Sequence, residues 1–432
     1  MIYKLAWRNT WFKPLNTALS IILLASSVAI ITVLILLEKQ FEEQFSSNAD
    51  DIDLVLGAQG SPLQLILSSV YQVDAPTGNI NYDSAKVWMR NPFVKTAIPL
   101  AFGDNYLGYK IVGTTPEYIS KFGGKIETGD MFKTNFEVVV GNAIAKKLKI
   151  KIGDSFFGSH GDSKEGEKHE DFAYKVVGIS SKTGKLIDNL IICNIESVWA
   201  MHDTHNHEDH ESEKHNTETN HVHDANCEHE HREVEKANSK VNKAVKIDET
   251  GQEITAVLIK FKNKMGIFTW PRIIAQNTKM QAVSPAIEIN RLFSLFGIGL
   301  QALQYLAYGI MLVSGISIFI ALYNTLKERK YEFAILRING ATRTQLLMLV
   351  TIESLILCTI GYFFGTIIGR IALYVLSKTS EEEFKIVFNP FELVWQREGI
   401  LFLLTIFVGI IAAAIPAIKA YKMNISKTLS HA

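Results

Sequence analysis

Three cysteines in 432 residues give no disulfide framework to read. A formal net charge of +0 supplies no overall basic field, and nucleic acid is not an expected partner. A phosphate-binding loop is also missing. The nearest approach, Gly178-Ile179-Ser180-Ser181-Lys182-Thr183-Gly184-Lys185-Leu186, has five residues between its glycines instead of four. It ends in Leu where a Ser or Thr would hold magnesium. That stretch reads as a strand-to-loop turn, and any ATP chemistry is expected from another subunit. Nor is there an H-E-x-x-H pair: His207-Glu208-Asp209-His210 falls one residue short, so no catalytic residue is assigned.

What the chain has in quantity is apolar sequence, with a hydrophobic fraction of 47% and a positive mean hydropathy of +0.12. The apolar residues concentrate in four runs, 15–37, 299–326, 346–376 and 399–420, each long enough for the ~20 residues that cross a bilayer. The first is too long for a signal-peptide core and no small-residue cleavage site follows Leu37, so it reads as a retained helix. Lys4, Arg8 and Lys13 precede the first run. Lys327, Arg329, Lys330, Arg337 and Arg343 separate the second from the third, and Lys419, Lys422 and Lys427 flank the end of the fourth. The excess of Lys and Arg predicts that residues 1–14, 327–345 and 421–432 are cytoplasmic. Segments 38–298 and 377–398 are then extracytoplasmic. The protein is expected in the cell (inner) membrane, multi-pass, with both termini in the cytoplasm.

Residues 38–298 read as an α/β domain. Strand patterns fall at 53–56, 109–112, 137–140, 174–179, 190–194 and 253–261, and helical ones at 61–70, 116–122 and 142–148. Thr128-Gly129-Asp130 and Gly153-Asp154 read as turns. The Gly/Pro-punctuated segment 56–79 suggests a shaped surface or a structural turn, with no chemistry assigned. Of the cysteines, Cys193 and Cys227 lie in this domain and could pair, whereas Cys358 falls in a membrane run and reads as packing.

Composition changes abruptly at His202. Between Met201 and Lys236 there are eleven acidic residues against three basic ones, and nine of the twelve histidines lie between His202 and His231. Such a stretch lacks the apolar surface that would offset ordering entropy, so 202–250 is expected to be a disordered insert. Neutral imidazole suits zinc, copper and nickel. His202, His205, His207, His210, His215, His221, His223, Cys227, His229 and His231 can form several alternative ligand sets for loosely bound Zn2+. A solvated tract without a partner is the competing reading.

The segment after the second run is the most specific. Tyr331, Ile335 and Ile338 recur at i, i+4 and i+7, Phe333 and Leu336 widen that stripe, and Glu328, Arg329, Glu332 and Arg337 supply charge. Asn339-Gly340 then ends the helix, since glycine accepts the left-handed cap conformation. On pattern alone this is either a partner-docking helix or a basic interfacial helix on anionic lipid. In the third run Glu353 is expensive in lipid. It reads either as a proton or ion ligand or as half of a structural pair with an Arg or Ser of a neighbouring helix. Arg370 is expected near the outer interface, free to snorkel.

Residues Glu328, Arg329, Glu332, Phe333, Leu336, Arg337, Gly340, Ala341 and Thr342 match an E-R-x-x-E-[FI]-x-x-L-R-x-x-G-A-[TS] pattern. This stretch resembles the cytoplasmic element of the FtsX-like permease family of ABC transporters, the group of MacB, LolC and LolE, where the motif docks on the ATPase. Three further segments are similar to that family: Leu5-Ala6-Trp7-Arg8-Asn9-Thr10 with Lys13-Pro14-Leu15, Gly141–Leu148 with Lys151-Ile152-Gly153-Asp154, and Pro416–Ala420. The His-rich tract departs from the pattern, as does Asn339, and leaves the substrate open. The resemblance implies a helical membrane protein, one helix plus three, with a large α/β domain of the MacB periplasmic core type. It implies a non-enzymatic permease subunit, acting as two copies or a related pair, with separate ATPases contacting the motif and Arg343. Zinc or other transition-metal handling, with a periplasmic metal-binding or adaptor protein, is the expected task. Export or extraction of a lipophilic or lipoprotein substrate is the first alternative, and a scaffold that activates a cell-wall hydrolase is the second.

Overall fold

The computed structural model describes residues 2–159, 168–208, 249–383 and 388–422. The chain forms two compact units, one of residues 1–43 with 293–432 and one of residues 44–292.

The first unit is helical. A short α1 (Ile2–Thr10) precedes α2 (Pro14–Ala49). Counting the helices of the other unit in chain order, α9 (Pro285–Glu328), α10 (Lys330–Ile338), α11 (Arg343–Glu383) and α12 (Trp395–Tyr421) complete it. Helices α2, α9, α11 and α12 are each long and apolar enough to cross a membrane. All four extend past the apolar runs read from sequence, because hydropathy marks the part of a helix that needs lipid, not where its hydrogen bonds stop. Thus α2 continues from Leu37 through the charged turn at Glu38–Glu43, and α11 continues through Glu383 into the segment read as loop.

Close packing in this unit depends on glycine. Gly361, Gly365 and Gly369 stand at i, i+4 and i+8 on α11, and a Cβ there would lie 2.7 Å from Leu24, 2.6 Å from Val28 and 2.8 Å from the Ala29 carbonyl of α2. Small residues at this spacing let two helix backbones approach where lipid gives no hydrophobic drive to associate. Gly409 of α12 does the same against Cys358, whose thiol is buried among the helices, and Ser354 Oγ donates to the Gly409 carbonyl at 2.7 Å.

The second unit is α/β. Its strands are β1 (Leu54–Ala58), β2 (Ile80–Asn81), β3 (Val94–Tyr106), β4 (Tyr109–Thr114), β5 (Ile126–Gly129), β6 (Glu137–Val140), β7 (Ser155–Ser159), β8 (Lys168–Ser180), β9 (Ile191–Asn194), β10 (Glu253–Ile254), β11 (Ala256–Phe261) and β12 (Met280–Val283). Ten of them form a mixed sheet in the order β12-β1-β11-β3-β4-β9-β6-β8-β5, with β7 pairing β3 and β8, while β10 pairs β2. The helices are α3 (Pro62–Ser69), α4 (Tyr82–Met89), α5 (Glu117–Lys121), α6 (Asn142–Leu148), α7 (Ile195–Glu208) and α8 (Gly266–Asn277).

Strand β3 joins the sheet's two halves. Val94–Leu100 pairs β11, and Ala101–Tyr106 pairs β4. Each half has its own core: Leu54, Leu56, Val257 and Trp270 in one, Val138, Tyr174, Ile191 and Cys193 in the other. Sequence reading misses β3 because Pro99 and Gly103 interrupt it, and both usually argue against a strand interior. Here Pro99 sits opposite Val257, and Gly103 leaves room for Val198, 3.3 Å from where its Cβ would be. Thr128 and Gly129 end strand β5, which corrects their reading as a free turn. Gly129 has φ +84°, and a Cβ would lie 2.2 Å from the Val177 carbonyl.

The segment 56–79 is a folded turn. Ser61 caps α3, Thr77 donates to the Ala58 carbonyl and Gln64 to that of Ala75. The glycine-rich stretch after β8 is closed by Asp188, whose carboxylate accepts from the amides of Thr183 and Gly184 at 3.0 and 2.8 Å. A phosphate would need those same amides. The acid therefore explains physically why this loop is a turn.

Candidate functional site

The motif segment sits at the α9–α11 end of the helical unit. Helix α10 ends as expected: Asn339 is its cap, and Gly340 follows at φ +93°. Arg337 Nη1 donates to the Ala341 carbonyl at 2.8 Å, and the Ala341 amide donates to the Leu336 carbonyl. Thr342 and Gln345 then cap α11 reciprocally, the Thr342 amide to Gln345 Oε1 at 2.8 Å and the Gln345 amide to Thr342 Oγ1 at 3.2 Å. The first residue of α11, Arg343, is exposed.

The apolar face of α10 divides in a way the spacing alone does not show. Phe333 and Ala334 are buried against the helical core, and Leu336 packs beside them. Tyr331 and Ile338 are 52% and 61% exposed, and Ile335 is also open. The expected single stripe is therefore two. Both chain ends of this nine-residue helix return to the bundle, so only one apolar face can turn inward, and the i, i+4, i+7 face points out.

Around it, charges tie α10 to the amino-terminal segment. Glu328 pairs with Lys13, and Arg329 pairs with Glu332 while its guanidinium lies over the Phe12 ring at 5.3 Å. Glu353, only 5% exposed, accepts a hydrogen bond from Asn9 Nδ2 at 2.6 Å. Its partner is thus a side-chain amide of α1, where sequence suggested an Arg or Ser of a neighbouring helix. Arg370 does not snorkel. It donates to the carbonyls of Pro390 and Glu392 and pairs with Glu398 at 2.6 Å.

Most of the histidine tract lies outside the described residues. The backbone of His202, His205 and His207 forms the last turns of α7, so the insert's compositional start falls inside a helix. His210, His215, His221, His223, Cys227, His229 and His231 lie outside the described residues. Among the described residues no group of three or more His, Cys, Asp or Glu side chains could hold a metal. Cys193 is buried and unbridged, with its thiol pushed up to about 12 by burial, and Cys227 lies outside the described residues.

Comparison with known proteins bears on this layout. Residues 15–257 match the MacB-like periplasmic core domain, and residues 305–425 match the FtsX-like permease C-terminal domain. The chain belongs to the FtsX-like permease family. An uncharacterized ABC transporter permease of Methanocaldococcus jannaschii is 23% identical to this permease over 327 residues, 74% of this chain and 69% of the relative. A macrolide export ATP-binding/permease protein MacB of Campylobacter jejuni is 27% identical over 120 residues, 28% of this chain but 18% of the relative. Among solved structures, the periplasmic region of MacB from Actinobacillus actinomycetemcomitans aligns with TM-score 0.32 and 10% identity, covering 58% of this chain and 96% of that one. The extracellular domain of the noncanonic ABC-type transporter YknZ from Gram-positive bacteria aligns with TM-score 0.30, also at 10% identity, over 54% and 99%. The permease thus joins a four-helix membrane unit to an α/β domain of the MacB core type.

Sequence reasoning missed Phe12 and Lys13 as partners of the motif segment and Asn9 as the partner of Glu353. The segment was read for topology and as a family resemblance, and neither reading names a contact.

Proposed function

We propose that this ABC transporter permease receives a separate ATPase on the outward stripe Tyr331, Ile335 and Ile338 of α10, flanked by Glu328, Glu332 and Arg343. The observation that carries this is the division of α10. One apolar face is in the core, while a second lies open on a helix only nine residues long, where exposed aliphatics at helical spacing fit a groove on a partner. Nucleotide-driven movement of the ATPase would push α10, and Phe333 and Arg337 would pass that movement to the bundle. The work is then done in the α/β domain by a pair of permeases, both termini being cytoplasmic. The test is co-purification of the ATPase with Ile335→Glu, Glu332→Lys and Gly340→Val. The first two should cost roughly 2–5 kcal/mol of binding if they desolvate a charge at the interface. Gly340→Val should act through the backbone, because a Cβ at φ +93° is strained although nothing lies within 4 Å of it. Normal recovery of the ATPase with all three variants would defeat the docking assignment.

Two cargo readings have specific support. The nine clustered histidines favour a transition metal handled outside the membrane, with a metal-binding or adaptor protein as partner. The name of the Campylobacter relatives favours a lipophilic export substrate. Zinc calorimetry on the intact chain at pH 7.5 should show several weak sites lost as imidazoles protonate through ~6.5. Absence of zinc heat would move the reading to the lipophilic cargo.

A further inference from the structure

Helix α1 and the turn after it expose two adjacent stripes. Tyr3 and Trp7 on the helix and Trp11 just beyond its end follow one another at four-residue intervals and are open, Trp7 and Trp11 with ring centroids 6.3 Å apart. Lys4 and Arg8 form the neighbouring exposed stripe. The opposite face, Ala6, Asn9 and Thr10, is buried against the bundle, with Asn9 held by Glu353. Aromatic rings beside basic groups are the composition of a helix lying at headgroup depth, the rings in the interfacial layer and the cations toward anionic lipid.

Beside that basic stripe lies a cleft of about 450 Å³ between α1 and the α10–α11 junction. Lys4 and Arg8 stand at its rim, and Leu5, Leu336, Leu346 and Leu349 line its floor. Gln345 is the other side-chain hydrogen-bonding group of the lining, and no carboxylate lines it. The buried acid Glu353 is engaged by Asn9, and Glu332 is engaged by Arg329. Neither Lys4 nor Arg8 has an ion pair among the described residues. Two cations over a leucine floor, at the start of a membrane-crossing helix, are the complement of an anion attached to a hydrocarbon chain.

We propose that this cleft holds one acidic phospholipid of the surrounding leaflet, its phosphate between Lys4 and Arg8 and the first methylenes of one acyl chain on the leucine floor. A soluble phosphate compound would leave the floor uncovered. The ATPase is assigned the Tyr331, Ile335 and Ile338 stripe, which is not part of the lining. The two sites share a helix but not a face. Leu336 and Ala341 line the cleft while Arg337 bonds across the same turn, so an occupied cleft would hold the α10–α11 junction in one arrangement.

The test uses the full-length chain in detergent, with native mass spectrometry reading retained phosphatidylglycerol against phosphatidylcholine of equal chain length. Wild type should retain one phosphatidylglycerol in preference. Lys4→Gln with Arg8→Gln should bind it roughly tenfold to thirtyfold more weakly, since each cation near an anionic lipid contributes about one decade or less. Lys419→Gln with Lys422→Gln removes the same charge elsewhere on the membrane unit and should keep the preference. Because Lys4 and Arg8 are exposed, thermal unfolding of their double variant should match wild type. Glycerol phosphate at millimolar concentration should not displace the lipid. Equal retention of the two lipids, equal loss in both double variants, or displacement by glycerol phosphate would each overturn the assignment. Unchanged lipid retention with loss of ATPase co-purification in the Lys4/Arg8 variant would give the cleft to the protein partner instead.

Discussion

The two ends of the membrane unit use polar residues in opposite ways. At the α11–α12 connection, they are spent on one another. Gln40 and Asn389 exchange two hydrogen bonds of 2.8 and 2.7 Å, and Ser377 and Phe388 exchange two more. Lys39 pairs with Glu392, Arg397 with Glu38, and Arg370 with Glu398 and two carbonyls. At the α9–α11 connection the polar contacts tie the amino-terminal segment to the helices beside α10, Lys13 to Glu328 of α9 and Asn9 to Glu353 of α11, with Arg329 paired to Glu332, and leave an apolar stripe and a basic cleft open. The α11–α12 end is closed in its described polar groups, although its Phe391 and Trp395 are 80% and 79% exposed. An end that keeps aliphatic and cationic groups exposed at regular spacing has surface to offer a partner and a leaflet.

The sharpest way to break this comparison is to ask which side of the membrane each end faces. The asymmetry of Lys and Arg predicts the α10 end in the cytoplasm and the other end outside. A cysteine at Ser380 should therefore react with an impermeant maleimide in intact cells, and one at Thr342 only after permeabilisation. Labelling of Thr342 from outside would invert the assignment and remove the ATPase from α10.

The next effect is on stability. Arg370→Ala would leave Glu398 and two carbonyls in a part-buried site without their cation, a change that costs about 3–5 kcal/mol when a buried pair loses one partner. Glu332→Lys breaks a pair whose carboxylate is half-exposed although Arg329 is not, and should cost less, about 1 kcal/mol of stability. Thermal unfolding in one detergent compares them directly. Similar losses would mean that the α10 end is as much a structural lock as the other, and its open stripe would lose its special standing.

The contrast also marks what could be read from sequence. Four membrane helices, the end of α10 at Asn339-Gly340 and strands such as β6 follow from hydropathy, cap chemistry and alternation, which are local. The missed features are contacts between distant segments. Asn9 with Glu353 spans 344 positions, and β3 was hidden because its Pro99 and Gly103 are tolerated only by their neighbours. One missed feature was legible. Gly361, Gly365 and Gly369 in an apolar run are a packing signal that needs no partner sequence to recognise. The division of α10 was not, since apolar residues on both faces give no indication of which face the bundle takes.

The smallest expected effect is at Glu353, and it decides whether the Asn9 contact belongs to the anchoring side of the open end or to ion chemistry. Glu353→Gln keeps a carbonyl oxygen for the Asn9 amide and nearly the same volume, so stability should change by about 1 kcal/mol or less. Glu353→Leu removes the acceptor and leaves the Asn9 amide buried with nothing to donate to, at about 1–3 kcal/mol. An anchoring role requires that transport or ATPase stimulation follow stability, nearly normal in the Gln variant and reduced in the Leu variant. A proton or ion ligand requires the reverse order of sensitivity: the Gln variant, stable but unable to carry a charge, would be as inactive as the Leu variant. Measuring unfolding and stimulated ATPase activity on the same two preparations separates them, because only the second outcome parts activity from stability.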